Sequence, residues 1–136
     1  MASISVTEFD NDRFEIRTRN HAVLVDQPRA DDVEVGASPV ELMVMSLAGC
    51  AAYYAARYLR SNGLPHKGLR VDCQWNMRAN PARVARVQLT IVSPSELDRD
   101  HRDGMIAAVS HCTVTNTLND PPKIDVIASA PVPSVD

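Results

Sequence analysis

With 136 residues, the chain can hold one domain with a core of its own but not two comfortable ones. An apolar content of 45 % argues against a disordered polyelectrolyte. Fourteen basic and 17 acidic residues are well mixed and only 4 % of the chain is aromatic, so neither a phosphate-neutralising stripe nor a base-stacking platform for nucleic acid is expected.

The opening segment, MASISVTEFDND, lacks a basic stretch followed by an apolar one, so no signal peptide is expected and a cytoplasmic setting follows. Three cysteines without CxxC spacing fit reduced thiols better than a disulfide framework. The most apolar uncharged stretch, residues 42–56, is shorter than the roughly 20 residues of a bilayer span, so no membrane partner is expected.

Ser3 to Val6, Phe14 to Arg19 and Ala22 to Val25 alternate with period two between Asn/Asp turns, predicting an antiparallel meander. The polar segment from Gln27 to Ala37 reads as a loop. A helix is then well marked: Ser38 caps, Pro39 suits its first position, and Glu41 can complete a capping box. Gly63 and Pro65 end it after roughly 24 residues, about 36 Å. Its middle is apolar all round, so it needs protein on every side, and in so small a domain a second chain is the simplest cover.

Leu69 to Met77 and Val84 to Val92 read as paired strands, joined through Asn80-Pro81. Ser95 is expected to cap a second helix, with Asp98 bonding back and Gly104 as its weak point. His111-Cys112-Thr113 marks a kink or a new helical start, with a short turn to Leu118. Ile124 to Ala128 reads as a final strand, and residues 129–136 as a tail. The order β-β-β-α-β-β-α-β predicts a single α+β domain over residues 1–136.

The thiols have two readings each. Cys50, mid-helix among Ala48, Gly49, Ala51 and Ala52, is either a small core residue or a thiol with room for a substrate. It lies too far along the helix for the N-terminal dipole to act on it, so reactivity requires a cation from elsewhere. Cys112 would meet backbone N–H groups if a helical turn starts at Thr113; otherwise it is an inert packed thiol. Cys73 alternates with Val71 and Trp75 and is expected in the core. Paired metal-ligand spacing and phosphate loops are absent from the sequence, so no metal or cofactor is expected.

Two segments read together resemble the OsmC/Ohr family, the osmotically inducible and organic hydroperoxide resistance proteins. GASPVELMVMSLAGC, ending at Cys50, is similar to that family's sPxELxxxALxxC helix. SHCTVTNTL, containing Cys112, is close to its HCPVxNTL segment. The resemblance implies an OsmC-like fold: antiparallel sheets on a long central helix, a second cysteine-bearing helix, and two chains intertwined as a homodimer. It further implies that Cys50 attacks the O–O bond of an organic hydroperoxide. Cys112 resolves the sulfenic acid to a disulfide, and a dithiol reductant of lipoyl or thioredoxin type restores the pair.

The family's active members carry a carboxylate directly after the helix-starting proline, where this chain has Val40. Glu41 follows one position later, either as that carboxylate or as a capping residue only. Arg13 is the closest positional match to the family's active-site arginine, with Arg17 and Arg19 as rivals. Thr113 replaces the usual proline after the second cysteine. A different functional class also fits: a non-catalytic dimer binding an apolar small molecule at the subunit interface, in which the thiols are inert.

Overall fold

The computed structural model describes residues 1–30 and 33–131; positions 132–136 of the expected tail lie outside them. An antiparallel meander opens the fold, with β1 (Ser5–Asp10), β2 (Arg13–Thr18) and β3 (His21–Val25) in that spatial order. Asp12 and Arg19, both at positive φ (58° and 52°), make its two turns. A parallel bridge from Val25 to Ala37 ties the end of the meander to the residues just before the long helix. Gly36 is required there, because a β-carbon would overlap the Leu24 carbonyl.

Helix α1 (Pro39–Ser61) has the expected bounds. Ser38 accepts from the Glu41 amide at 3.2 Å and the Glu41 carboxylate accepts from the Ser38 amide at 3.0 Å, a reciprocal cap that satisfies two otherwise orphan donors. At the other end Gly63 turns the chain at φ 67°, and the Leu64 amide closes onto the Leu59 carbonyl at 2.8 Å. By length and composition alone α1 could cross a bilayer. However, Val44, Leu47, Ala51, Ala55 and Leu59 form a buried stripe along it, the pattern of a core helix.

Strands β4 (Arg70–Arg78) and β5 (Arg83–Val92) form a two-stranded antiparallel sheet with a bulge after Asn76, and α1 lies against it. Helix α2 (Arg99–Val109) packs on the C-terminal half of α1, where Ala55, Leu59, Leu97 and Met105 make the core. Its cap is Asp98, which accepts from the His101 amide at 2.8 Å, and not the expected Ser95. The intervening residues drop Leu97 into the core before the helix begins, and that burial decides between two cap-type residues. Gly104, expected to be a weak point, is where Tyr58 of α1 comes to rest.

The segment after Cys112 is a separate short helix, α3 (Thr113–Asn119), leaning on α1. The final strand expected at Ile124 to Ala128 is not formed: among the described residues the segment pairs with nothing, and Ile124, Val126 and Ile127 stand exposed. A strand needs a ladder partner as well as a pattern, and among the described residues the sheets β1-β2-β3 and β4-β5 do not take this segment on an edge. The architecture is α+β, with antiparallel sheets and a long central helix.

Candidate active site

Val40, Met43, Leu47, Cys50 and Tyr54 recur at three- and four-residue spacing, so they share one side of α1. Cys50 is half-buried at the edge of the core stripe. Cys112 is fully buried and stands at the N-cap of α3, its amide donating to the Val109 carbonyl at 3.0 Å and its carbonyl accepting from the Asn116 amide at 3.0 Å. The junction is tied one turn further along by the Tyr54 hydroxyl, 3.4 Å from Thr113 Oγ1.

This geometry puts the two thiols together. Burial pushes the Cys112 thiol up, but hydrogen bonds from the Cys50 side chain, the Thr115 amide and hydroxyl, and the Val114 amide outweigh it and hold Cys112 below the ordinary thiol range. Both thiols are free. Cys73, on β4, is half-buried, and burial raises it above the ordinary thiol range.

Arg13 and Glu41 are engaged elsewhere. Arg13 places Nε 3.1 Å from Asp26 Oδ2, one terminal nitrogen 3.2 Å from Asp10 and the other 3.0 Å from the Val33 carbonyl. Asp26 is buried and also accepts from the Val35 and Gln27 amides and from Arg29. Desolvation would raise its carboxyl, yet the two amides and two guanidinium groups prevail and bring it down from 3.8 to about 2. Arg17 pairs with Glu15 on its own strand, and Arg19 lies in the β2–β3 turn. Glu41 is the capping carboxylate, held below its usual range by the Ser38 amide and hydroxyl.

Between α1, β5 and α3 runs an apolar groove of about 800 Å³, walled by Val40, Met43 and Leu47 of α1, Val84 and Val87 of β5, and Leu118 of α3. Leu47, one turn before Cys50 on α1, and Thr115, three residues after Cys112, both line it. Among the described residues no group of three His, Cys, Asp or Glu side chains could hold a metal ion.

Sequence reasoning missed Asp26 and Thr115. Thr115 had a signal, since a hydroxyl residue three positions after a cap residue is placed to reach back to it. Asp26 had a weaker one, an acid closing the apolar run Val23-Leu24-Val25 with Arg29 shortly after.

The sequence pattern of the family described as OsmC-like protein matches residues 29–127. The chain belongs to the OsmC-like family. Solved structures agree in fold. An OsmC-like protein of Mycoplasma pneumoniae superposes with a TM-score of 0.73 at 17 % identity, covering 89 % of each chain. A Psychrobacter arcticus protein named for an osmotic stress and detoxification response gives 0.77 at 24 % identity, over 86 % of this chain and 88 % of that one. The organic hydroperoxide resistance protein OhrB of Bacillus subtilis gives 0.66 at 13 % identity, over 89 % and 92 %. No curated protein matches. In this OsmC-like chain both cysteine segments fall inside the matched region, on the two helices that carry the thiol pair.

Proposed function

We propose that this OsmC-like protein is a thiol-dependent peroxidase that reduces organic hydroperoxides in oxidative-stress defence, working in the cytoplasm as a homodimer. The observation that carries the reading is the placement of Cys112, buried at the N-cap of α3, where α3 packs on α1, the helix that carries Cys50. Cys50, the more accessible thiol, attacks the peroxide and becomes a sulfenic acid. Cys112 condenses with it to a disulfide, which a dithiol of lipoyl or thioredoxin type reduces. The apolar groove suits an organic peroxide better than hydrogen peroxide. The name of the Bacillus subtilis neighbour supports the same chemistry.

The homodimer is supported by what this chain leaves uncovered. Met43, Met45 and Tyr53 of α1 are exposed, as are Ile124, Val126 and Ile127 beyond α3. Arg13 and Glu41 take structural roles in this reading, because their polar atoms already serve Asp26 and Ser38.

A second reading, a non-catalytic dimer that binds an apolar small molecule, is favoured by the size of the groove and by Val40 within it. It requires inert thiols. Titration of free thiols after one equivalent of cumene hydroperoxide, on the wild type, Cys50→Ser and Cys112→Ser, separates the two. Loss of two thiols per chain in the wild type alone, with a Cys50–Cys112 disulfide by mass spectrometry, is the peroxidase outcome. Thiols that stay free in all three leave the binding protein.

A further inference from the structure

Helix α1 carries an acid in its first turn, Glu41, and none from there to its C-terminus. Towards that end it holds Tyr54, Arg57, Tyr58 and Ser61 at three- and four-residue spacing, on one side of the helix. Where α2 packs on this half of α1, these four residues line a pocket of about 320 Å³ together with Asn62, Ala108 and His111. The volume is that of a small-ligand site, and no carboxylate is in its lining. In the chain it adjoins both cysteine positions: Tyr54 is one turn beyond Cys50, and His111 immediately precedes Cys112.

The polar groups of the pocket fall into two sets. Tyr54, Tyr58 and Asn62 are committed within the protein. The Tyr54 hydroxyl lies 3.4 Å from Thr113 Oγ1, the Tyr58 hydroxyl 3.0 Å from His101 Nδ1, and the Asn62 side-chain amide donates to the Tyr58 carbonyl at 2.8 Å. These bonds fix the two rings between α1 and the helices packed on it. The Arg57 guanidinium and the His111 ring, by contrast, have no hydrogen bond or ion pair among the described residues. Arginines of this chain that lie near a carboxylate take it, as Arg13 and Arg29 take Asp26 and Arg70 takes Asp72.

The helix dipole does not account for Arg57, because Arg60 is the cation in the last turn of α1. Nor do the two helix ends bar an anion from the pocket. The carbonyls of Tyr58, Leu59 and Arg60 on α1, and of Ile106, Ala108 and Val109 on α2, are already taken by backbone amides. What remains is a permanent guanidinium charge and an imidazole donor, with two aromatic rings beside them.

We propose that this pocket binds the carboxylate of a small organic acid, with Arg57 and His111 on the carboxylate and Tyr54 and Tyr58 against its apolar body. A guanidinium matches a carboxylate through two parallel hydrogen bonds, and the rings supply apolar area at fixed positions. Binding itself is independent of the hydroperoxide reading. Its use rests on that reading: beside both cysteine positions, the pocket selects an acidic reactant over a neutral one of the same shape. The acid is either the peroxide or the dithiol, two sources of one chemistry.

The first experiment uses neither peroxide nor reductant. Calorimetric titration with para-isopropylbenzoate should show binding to the wild type. The matching neutral alcohol should bind about tenfold more weakly or worse, the factor expected of a hydrogen bond to a charged group. Arg57→Gln should lose that factor for the acid, and Arg57→Lys should recover part of it, as a point charge without the fork. Arg57 is exposed, so thermal melts of these variants should match the wild type. No binding of the acid, equal binding of acid and alcohol, or an acid indifferent to Arg57→Gln would overturn the proposal.

The second experiment finds the reactant. Cumene hydroperoxide is compared with its para-carboxylate, and dihydrolipoamide with dihydrolipoate, each pair as a ratio of kcat/KM in the wild type and in Arg57→Gln. A ratio that favours the acid in the wild type and falls about tenfold in the variant identifies its pair as the source. Ratios that move in neither pair would remove the reactant role and leave a ligand site. Protein inert to every peroxide would overturn the hydroperoxide reading and the reactant role with it, while the titration stands apart from both.

Discussion

The phenol of Tyr58 occupies the space that a side chain at Gly104 would fill, and its hydroxyl lies 3.0 Å from His101 Nδ1, one turn earlier on α2. Alanine at position 104 would gain up to about 1 kcal/mol of helix propensity. It would also have to displace a ring held between two helices, which costs about 1–3 kcal/mol. The expected net effect of Gly104→Ala is destabilisation, measured by chemical denaturation. In a Tyr58→Ala background the obstruction is gone, and the same substitution should become neutral or stabilising. A penalty that persists there would show that Tyr58 is not its cause.

Acid should act through Asp26. The fold brings its carboxyl from 3.8 to about 2, so the charged form is favoured in the native state. Its contribution is complete above the ordinary carboxylate range and is lost as pH falls through about 2. Asp26→Asn should lower stability at neutral pH and flatten the acid limb of a stability–pH curve. An unchanged acid limb would place the titrating group elsewhere.

The cap separates two roles for Glu41. Ser38→Ala removes the acceptor for the Glu41 amide and should cost about 0.5–2 kcal/mol. Glu41→Gln retains an oxygen for the Ser38 amide, so it should cost less and leave the rate of Cys50 oxidation unchanged. A Glu41→Gln protein that folds normally but reacts slowly would return this carboxylate to the chemistry.

Cys73 provides a control within the same molecule. Burial holds its thiol above the ordinary range, so alkylation at neutral pH should reach Cys50 well before Cys73. Peptide mapping after brief iodoacetamide treatment reads this directly.

What could be read from the residues was what neighbouring residues decide. Ser38, Pro39, Glu41 and Gly63 set both ends of α1 locally, and alternation with Asn/Asp turns set the meander. The two thiols were legible as candidates through the motifs around them, and the start of α3 after Cys112 was one of two readings. Long-range choices were hidden. Arg13 is bound to Asp26, thirteen residues on, because the loop after β3 folds back to supply amides and Arg29 to the same carboxylate. Ser95 and Asp98 are both cap-type residues, and Leu97 in the core selects between them. The pattern from Ile124 onward reads as a strand, yet no edge among the described residues receives it.

The β1-β2-β3 meander packs broadly on no other element of its own chain, and most of both its faces is exposed. In the proposed homodimer a three-stranded sheet in that position would draw its stability from the partner chain, and folding would be a bimolecular event. The thermal midpoint should then climb with protein concentration, and dilution should yield unfolded chains in place of native single subunits. The amount of native protein would then follow the abundance of the chain more steeply than in proportion.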